Sequence, residues 1–394
     1  MSASAFPLAR VRAILPLLSG HRRALHAMPE LGLELPRTAA YVEAELLRLG
    51  LKPRRSGDGM WADVGTRGPL VALRADMDAL PIEEATGAAY ASRTPGLMHA
   101  CGHDAHAAAL LGAAALLAEA APGLPYRVRL VFQTGEEGQA GALPLIEAGV
   151  LEGVAAIAAG HAGDLSDELA PGQAGFLPGP MMAASDRFRG SFVGSGGHGA
   201  APHKSPDPIV AFAEYALALQ ALRAREIEQT RPAVVSLCQV SSGSTYNVIP
   251  ERLGFMGTAR SLDTPTRAFL EQRIGELGKA VAAMRGLSFE FEWLGGYPPL
   301  LNEPEAAALA EEAARTVLGG ERVRRLTRPS MGGEDFAYYL EKVPGCFWFL
   351  NTQAPERGIS FPNHNPRFDL DEGLLPELCA VNLAIAESLA AAFG

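Results

Sequence analysis

The sequence predicts an α/β protein in two parts, a mixed-sheet domain interrupted by an inserted ferredoxin-like α+β domain. Three observations carry this reading. Short apolar runs alternate with helical stretches through the first half of the chain. After the Gly179-Pro180 turn the order becomes β-α-β-β-α-β, that of a split βαβ unit. From about Gly295 the α/β texture returns. At 394 residues the chain is longer than a usual single domain. The expected boundaries are 1–183 and 295–394 for the discontinuous outer domain and 184–294 for the insert.

In the outer domain, Leu70-Val-Ala-Leu-Arg-Ala75 reads as a buried strand that delivers Asp76 and Asp78 at its end. An alanine- and leucine-rich helix follows from His106 to Leu117, stopped near Pro122-Gly123. Tyr126 to Phe132 is a second strand, delivering Glu136 and Glu137, and Val154 to Ala159 a third, followed by His161. Ligands of open α/β sheets sit outside the carboxyl ends of strands, so three chemical positions fall where a site belongs. In the insert, Arg187–Val193, Ala233–Val240, Arg252–Arg260 and Leu287–Trp293 read as strands, with helices over Ile209–Arg223 and Thr266–Met284. The strand Cys346–Leu350 and a helix from about Leu374 to Ala391 complete the outer domain.

Composition narrows the function. With 48% hydrophobic and 20% charged residues the chain is an ordinary globular protein with ample core. A net charge of -10 argues against nucleic acid or an anionic membrane as partner. Met1 to Leu18 is broken by Pro7, Arg10, Arg12 and Pro16, unlike a signal peptide, and no window approaches the roughly eighteen apolar residues of a membrane span. Four cysteines do not make a disulfide framework in a chain of this size, so the cytoplasm is the simplest address.

The chemistry concentrates in His99-Ala-Cys-Gly-His-Asp-Ala-His106. Cys101 and His103, at a helix mouth, offer a thiolate and an imidazole to a borderline-soft metal, and the helix N-terminus favours the deprotonated sulfur. An isolated Cys-x-His is more often a capping cysteine beside a core histidine; the polarity around this one, and the ligands downstream, weigh against that. Glu136-Glu137 permits a division of labour, Glu137 as ligand and Glu136 as base toward bound water. His161 ends an apolar strand, where an unpaired imidazole is unfavourable, and His364 lies in an Asn-His-Asn-Pro turn. Asp78 reads as a supporting carboxylate. In the insert, the Gly194–Gly199 loop lacks the features of a phosphate cradle and presents His198, while Asn247 and Arg260 are candidate binders of a substrate carboxylate. Thiolate ligation disfavours magnesium and leaves zinc, manganese, cobalt or nickel.

With these residues in view, the chain resembles the metallo-amidohydrolases that include hippurate hydrolase, N-acyl-L-amino-acid amidohydrolase and the IAA-amino acid (auxin-conjugate) hydrolases. The resemblance rests on His26–Leu31, Arg74–Pro81, His99–His106, Phe132-Gln133 with Glu136-Glu137, Gly196–His198, Pro202-His203, Asn247–Pro250, Gly257–Arg260, Gly333–Phe336 and His364–Pro366. It implies a dinuclear-metal hydrolase domain with a lid/dimerisation insert. It further implies two divalent ions held by Cys101, His103, Glu137, His161 and His364, with Glu136 as general base and Asp78 as the supporting aspartate. By the same resemblance His198 reaches the partner subunit's site in a homodimer and stabilises the oxyanion. Thr134-Gly135, Leu35, Ala162-Gly163-Asp164 and Leu350-Asn-Thr352 depart from the family's usual pattern without touching a ligand or the base.

The expected activity is hydrolysis of N-acyl amino acids to a carboxylic acid and a free amino acid. A deacetylase of an N-acetylated biosynthetic intermediate and a dipeptidase or carboxypeptidase stand as alternatives. A metal-free thiol hydrolase using Cys101 and His103 is disfavoured because residues this close in sequence seldom reach productive geometry. A vestigial binding protein is disfavoured because the base and the ligand set are both intact.

Overall fold

A computed structural model describes residues 6–394. The part of the N-terminal stretch up to Ala5 lies outside the described residues. The chain forms two compact units, one of residues 1–181, 301–330 and 335–394, the other of residues 182–300 and 331–334.

The first unit is built on an eight-stranded mixed sheet. At its centre Arg127–Gln133, Leu70–Asp76, Val154–Gly163 and Gly345–Asn351 run parallel, in that spatial order. Gly59–Val64 adds an antiparallel strand beside Arg127–Gln133. The Leu70–Asp76 and Gly345–Asn351 strands are buried along their whole length, as strands covered on both faces must be. The covering helices include Leu15–His26, His103–Ala120, Pro304–Leu318 and Leu375–Phe393. Because the four central strands are parallel, their carboxyl ends lie along one edge of the sheet, the place where Asp76, Glu136 and His161 occur in sequence.

The predicted strands recur with small extensions, and one extension matters. The third strand runs on to Gly163, so His161 lies within it, in register with Phe349, rather than after it. The helix after Cys101 begins at His103, three residues earlier than periodicity suggested, because Gly102 (φ +90°) turns the chain sharply into it.

The expectation about apolar windows is corrected. Two helical segments, His103–Gly123 and Glu372–Phe393, are long and apolar enough to cross a membrane by length and composition. Both are mostly buried inside the fold, and their alanine- and leucine-rich faces pack in the main hydrophobic core.

The second unit carries a four-stranded antiparallel sheet in the order Ala233–Ser242, Arg252–Ser261, Ser185–Val193, Ser288–Tyr297. With the helices Pro208–Arg225 and Thr264–Arg285 this is the ferredoxin-like order. Phe188, Phe192, Tyr215, Leu219, Phe255 and Ile274 form its own core. Asp207 and Asp263 cap the two helices through their carboxylates.

Candidate metal centre

The site begins with Asp78, two residues beyond the buried Leu70–Asp76 strand. One oxygen of its carboxylate accepts the backbone N–H of Glu136 and the other that of Glu137, each at 2.9 Å. A single buried carboxylate thus fixes the backbone under both acids of the pair. The Asp78 carbonyl accepts a hydrogen bond from His103 Nδ1–H at 2.8 Å. That bond commits Nδ1 of His103 and leaves Nε2 as the nitrogen that faces Glu137 Oε1. His161 is set the same way, donating from Nδ1–H to the Ala162 carbonyl at 3.0 Å.

Two imidazole nitrogens, those of His161 and His364, sit by one sulfur. Cys101 Sγ lies 3.5 Å from His161 Nε2 and 3.3 Å from His364 Nε2. Glu137 Oε1 is 3.3 Å from His364 Nε2 and 4.0 Å from His103 Nε2. The donor atoms of Cys101, His103 and His161 all fall within 4.8 Å of one another, as do those of Cys101, Glu137 and His364, and those of His103, Glu136 and Glu137. Cys101 belongs to the first two groups.

These donors suit a borderline divalent cation. Among the described residues His103 Nε2 is a buried polar atom without a hydrogen bond, which is unfavourable by about 1–3 kcal/mol unless something binds it. Sulfur, imidazole and carboxylate together fit zinc-like ions better than magnesium or calcium. Without a cation the cluster retains protons. Burial and the Glu137 carboxylate push the Cys101 thiol up. Hydrogen bonds to Cys101 and Glu137 raise His364 to about 10. Burial and the neighbouring His106 hold His161 well below the usual histidine range. A bound cation would reverse this balance at the sulfur, with release of protons.

Behind the donors lies a buried polar layer that sequence reasoning missed. The Ala162 N–H donates to His106 Nε2 at 2.8 Å, so His106 donates from Nδ1–H to Asp76 at 2.6 Å. Asp76 also receives Arg74 at 2.6 Å, and Arg74 reaches Gln133 at 3.0 Å and Asp335 at 2.8 Å. Burial alone would raise Asp76, but His103, Arg74 and His106 hold it well below the carboxylate range. A second chain of pairs joins Arg22, Asp104 and His26. The available signal was charge inside apolar runs: Arg74 and Asp76 in a fully buried strand require partners.

His198, Asn247 and Arg260 belong to the second unit. His198 sits on a two-residue strand whose partner residue is Val248, and the Gly199 N–H donates to the Asn247 carbonyl at 2.9 Å, so His198 and Asn247 are neighbours. His198 is exposed and accepts the Ala200 N–H at 3.0 Å. Arg260 is paired in register with Val234, and partial burial lowers its pKa.

Residues 72–388 match the model of peptidase family M20/M25/M40. N-acetyl-L-cysteine deacetylase of Bacillus subtilis (strain 168) is 40% identical over 360 residues, covering 90% of this chain and 84% of the relative. IAA-amino acid hydrolase ILR1-like 4 of Arabidopsis thaliana is 37% identical over 374 residues, covering 93% and 84%. The crystal structure of Bacillus subtilis YXEP, described as a dinuclear metal binding peptidase from the M20 family, superposes with a TM-score of 0.81 at 33% identity, covering 97% of this chain and 99% of that one.

Proposed function

Because the chain belongs to peptidase family M20/M25/M40 and is a dinuclear-metal enzyme acting on amide bonds, we propose that it hydrolyses N-acyl amino acids to a carboxylic acid and a free amino acid. The observation that carries this is the meeting of two donor groups on one sulfur, Cys101, beside Glu136. Cys101, His103 and His161 would hold one ion and Cys101, Glu137 and His364 the other, chosen from zinc, manganese, cobalt or nickel.

When bound, the two ions supply Lewis acidity and a water of lowered pKa. Glu136 takes the proton of the attacking water and passes it to the leaving amine. Asp78 holds Glu136 in place through the backbone N–H. Asn247 and Arg260 bind the amino acid carboxylate, Arg260 through its planar fork. His198 steadies the developing oxyanion from the partner subunit of a homodimer, with residues 184–294 acting as lid and dimerisation domain of the 1–183 and 295–394 catalytic domain. A cytoplasmic address fits four free cysteines, three of them buried.

The test is Glu136→Ala, with turnover and metal content measured together. Turnover should fall by about 10²–10⁴-fold with two ions retained per chain. Loss of metal in step with activity would demote Glu136 to a structural role. A panel of N-acetyl, N-benzoyl and indole-acetyl amino acids identifies the acyl group. N-acetyl substrates come first, because the deacetylase of Bacillus subtilis is 40% identical.

A further inference from the structure

Asn363 precedes His364 in a turn where the histidine takes a left-handed backbone (φ +66°) and donates its N–H to the Ala100 carbonyl at 2.7 Å. A turn asparagine ordinarily bonds backbone two residues away. The Asn363 side chain instead bonds residues 199 to 262 positions distant. Its Nδ2 donates to the Cys101 carbonyl at 3.0 Å and the Ala162 carbonyl at 3.3 Å, and lies 3.9 Å from Cys101 Sγ. Its Oδ1 accepts the Asp164 N–H at 2.9 Å. Both N–H groups of the amide and its oxygen therefore engage two segments, the Cys101 loop and the end of the His161 strand, while its own backbone leads into His364.

Gly163 makes room for this. It ends the strand between Ala162 and Asp164, the two residues that Asn363 bonds there, at φ +143°, and a β-carbon on it would run into the Asn363 amide. The Ala162-Gly163-Asp164 sequence that departs from the family pattern is thus the seat of the Asn363 side chain.

We propose that Asn363 is a positioning residue of the metal centre: one amide that fastens together the three segments bearing Cys101, His161 and His364. The proposal rests on the reading of that cluster as a metal centre. The amide fixes where the sulfur stands relative to both imidazoles. Its N–H near Sγ also withdraws electron density from the thiolate, as hydrogen bonds around metal ligands do. Loss of such a partner weakens metal binding without removing a ligand.

The experiment uses the full chain and cobalt(II) as probe. It reads cobalt affinity by chelator competition, the thiolate-to-cobalt charge-transfer band, and the thermal melt of the metal-free protein. Asn363→Leu and the near-isosteric Asn363→Asp should each weaken cobalt binding by roughly 10- to 100-fold and move the band to longer wavelength. Gly163→Ala should reproduce the affinity loss by displacing the amide, and added to Asn363→Leu it should cause no further loss. Affinity within about 3-fold of wild type in both Asn363 variants would overturn the assignment, since partners of metal ligands ordinarily contribute more. So would a Gly163→Ala loss that adds fully to that of Asn363→Leu, or failure of all three variants to fold without metal, which would make the amide a general structural brace. A wild-type chain that binds no cobalt sinks the metal-centre reading itself, and wild-type binding untouched by the variants sinks only the role of Asn363.

Discussion

Asp78→Asn is the most informative single change at the acid pair. The wild-type carboxylate accepts two backbone N–H groups at 2.9 Å, one from each acid. The amide keeps one acceptor oxygen and turns an NH2 toward the other N–H, so one charge-assisted hydrogen bond is lost and a donor faces a donor. Hydrogen bonds to charged groups contribute about 1.5–3 kcal/mol, and the surviving bond becomes a neutral one worth about 1 kcal/mol. Asp78 is 1% exposed, so water does not substitute. The expected loss is about 2–5 kcal/mol, read by urea unfolding of the metal-free protein so that ion binding does not enter. The bond from His103 goes to the Asp78 carbonyl and survives the substitution. Turnover of the metal-loaded variant should fall by about 100-fold or more, because one acid of the Glu136-Glu137 pair loses the bond that fixes its backbone. A variant with the wild-type unfolding midpoint and slope would refute the reasoning, and so would a destabilised variant with undiminished turnover.

Other expectations test different parts of the molecule. Burial opposes the His26 imidazolium, but Asp104 and Glu84 outweigh it and raise its pKa to about 9. Its contribution is therefore full below the unfolded value near 6.5 and is lost as pH rises through 9; at about 1.4 kcal/mol per unit this amounts to about 3 kcal/mol. A His26→Leu protein should be less stable and lack that decline in a urea series from pH 6 to about 10; an undiminished decline would assign it elsewhere. Metal removal by a chelator should abolish activity and lower the melting temperature, with recovery on adding zinc, manganese, cobalt or nickel; at one hundred times Kd an ion adds about 2.7 kcal/mol. Full activity after exhaustive chelation would return Cys101 to candidacy as a nucleophile. Tyr126 is 5% exposed and among the described residues its hydroxyl has no hydrogen-bond partner. Tyr126→Phe should then stabilise the protein by about 1 kcal/mol, and a destabilised variant would show that the hydroxyl is satisfied.

Much of the centre was legible because its parts are local. Cys101 and His103 share one motif, Glu136 and Glu137 another, and each follows a feature that periodicity marks, a helix start or a strand end. The β-α-β-β-α-β order of the second unit was legible for the same reason, since alternation and helical spacing are short-range signals. His161 was placed after its strand because Gly160 breaks the β-propensity of the run, yet pairing with Phe349 carries the strand through it. The buried layer was not legible. Arg74 meets Asp335 across 261 residues and Arg22 meets Asp104 across 82, and no local pattern joins such partners. Asn363 escaped notice because an asparagine in a turn has an ordinary local explanation.

The separation between Cys101 and His364 sets an order of assembly. These two side chains meet across 263 residues, so during synthesis the thiol and its first two imidazoles leave the ribosome long before the last imidazole exists. A nascent chain ending short of residue 364 holds the Cys101, His103 and His161 group and lacks the other. The second donor group, Cys101, Glu137 and His364, is therefore completed only after residue 364 has emerged, by which time the Gly345–Asn351 strand is available to join the sheet.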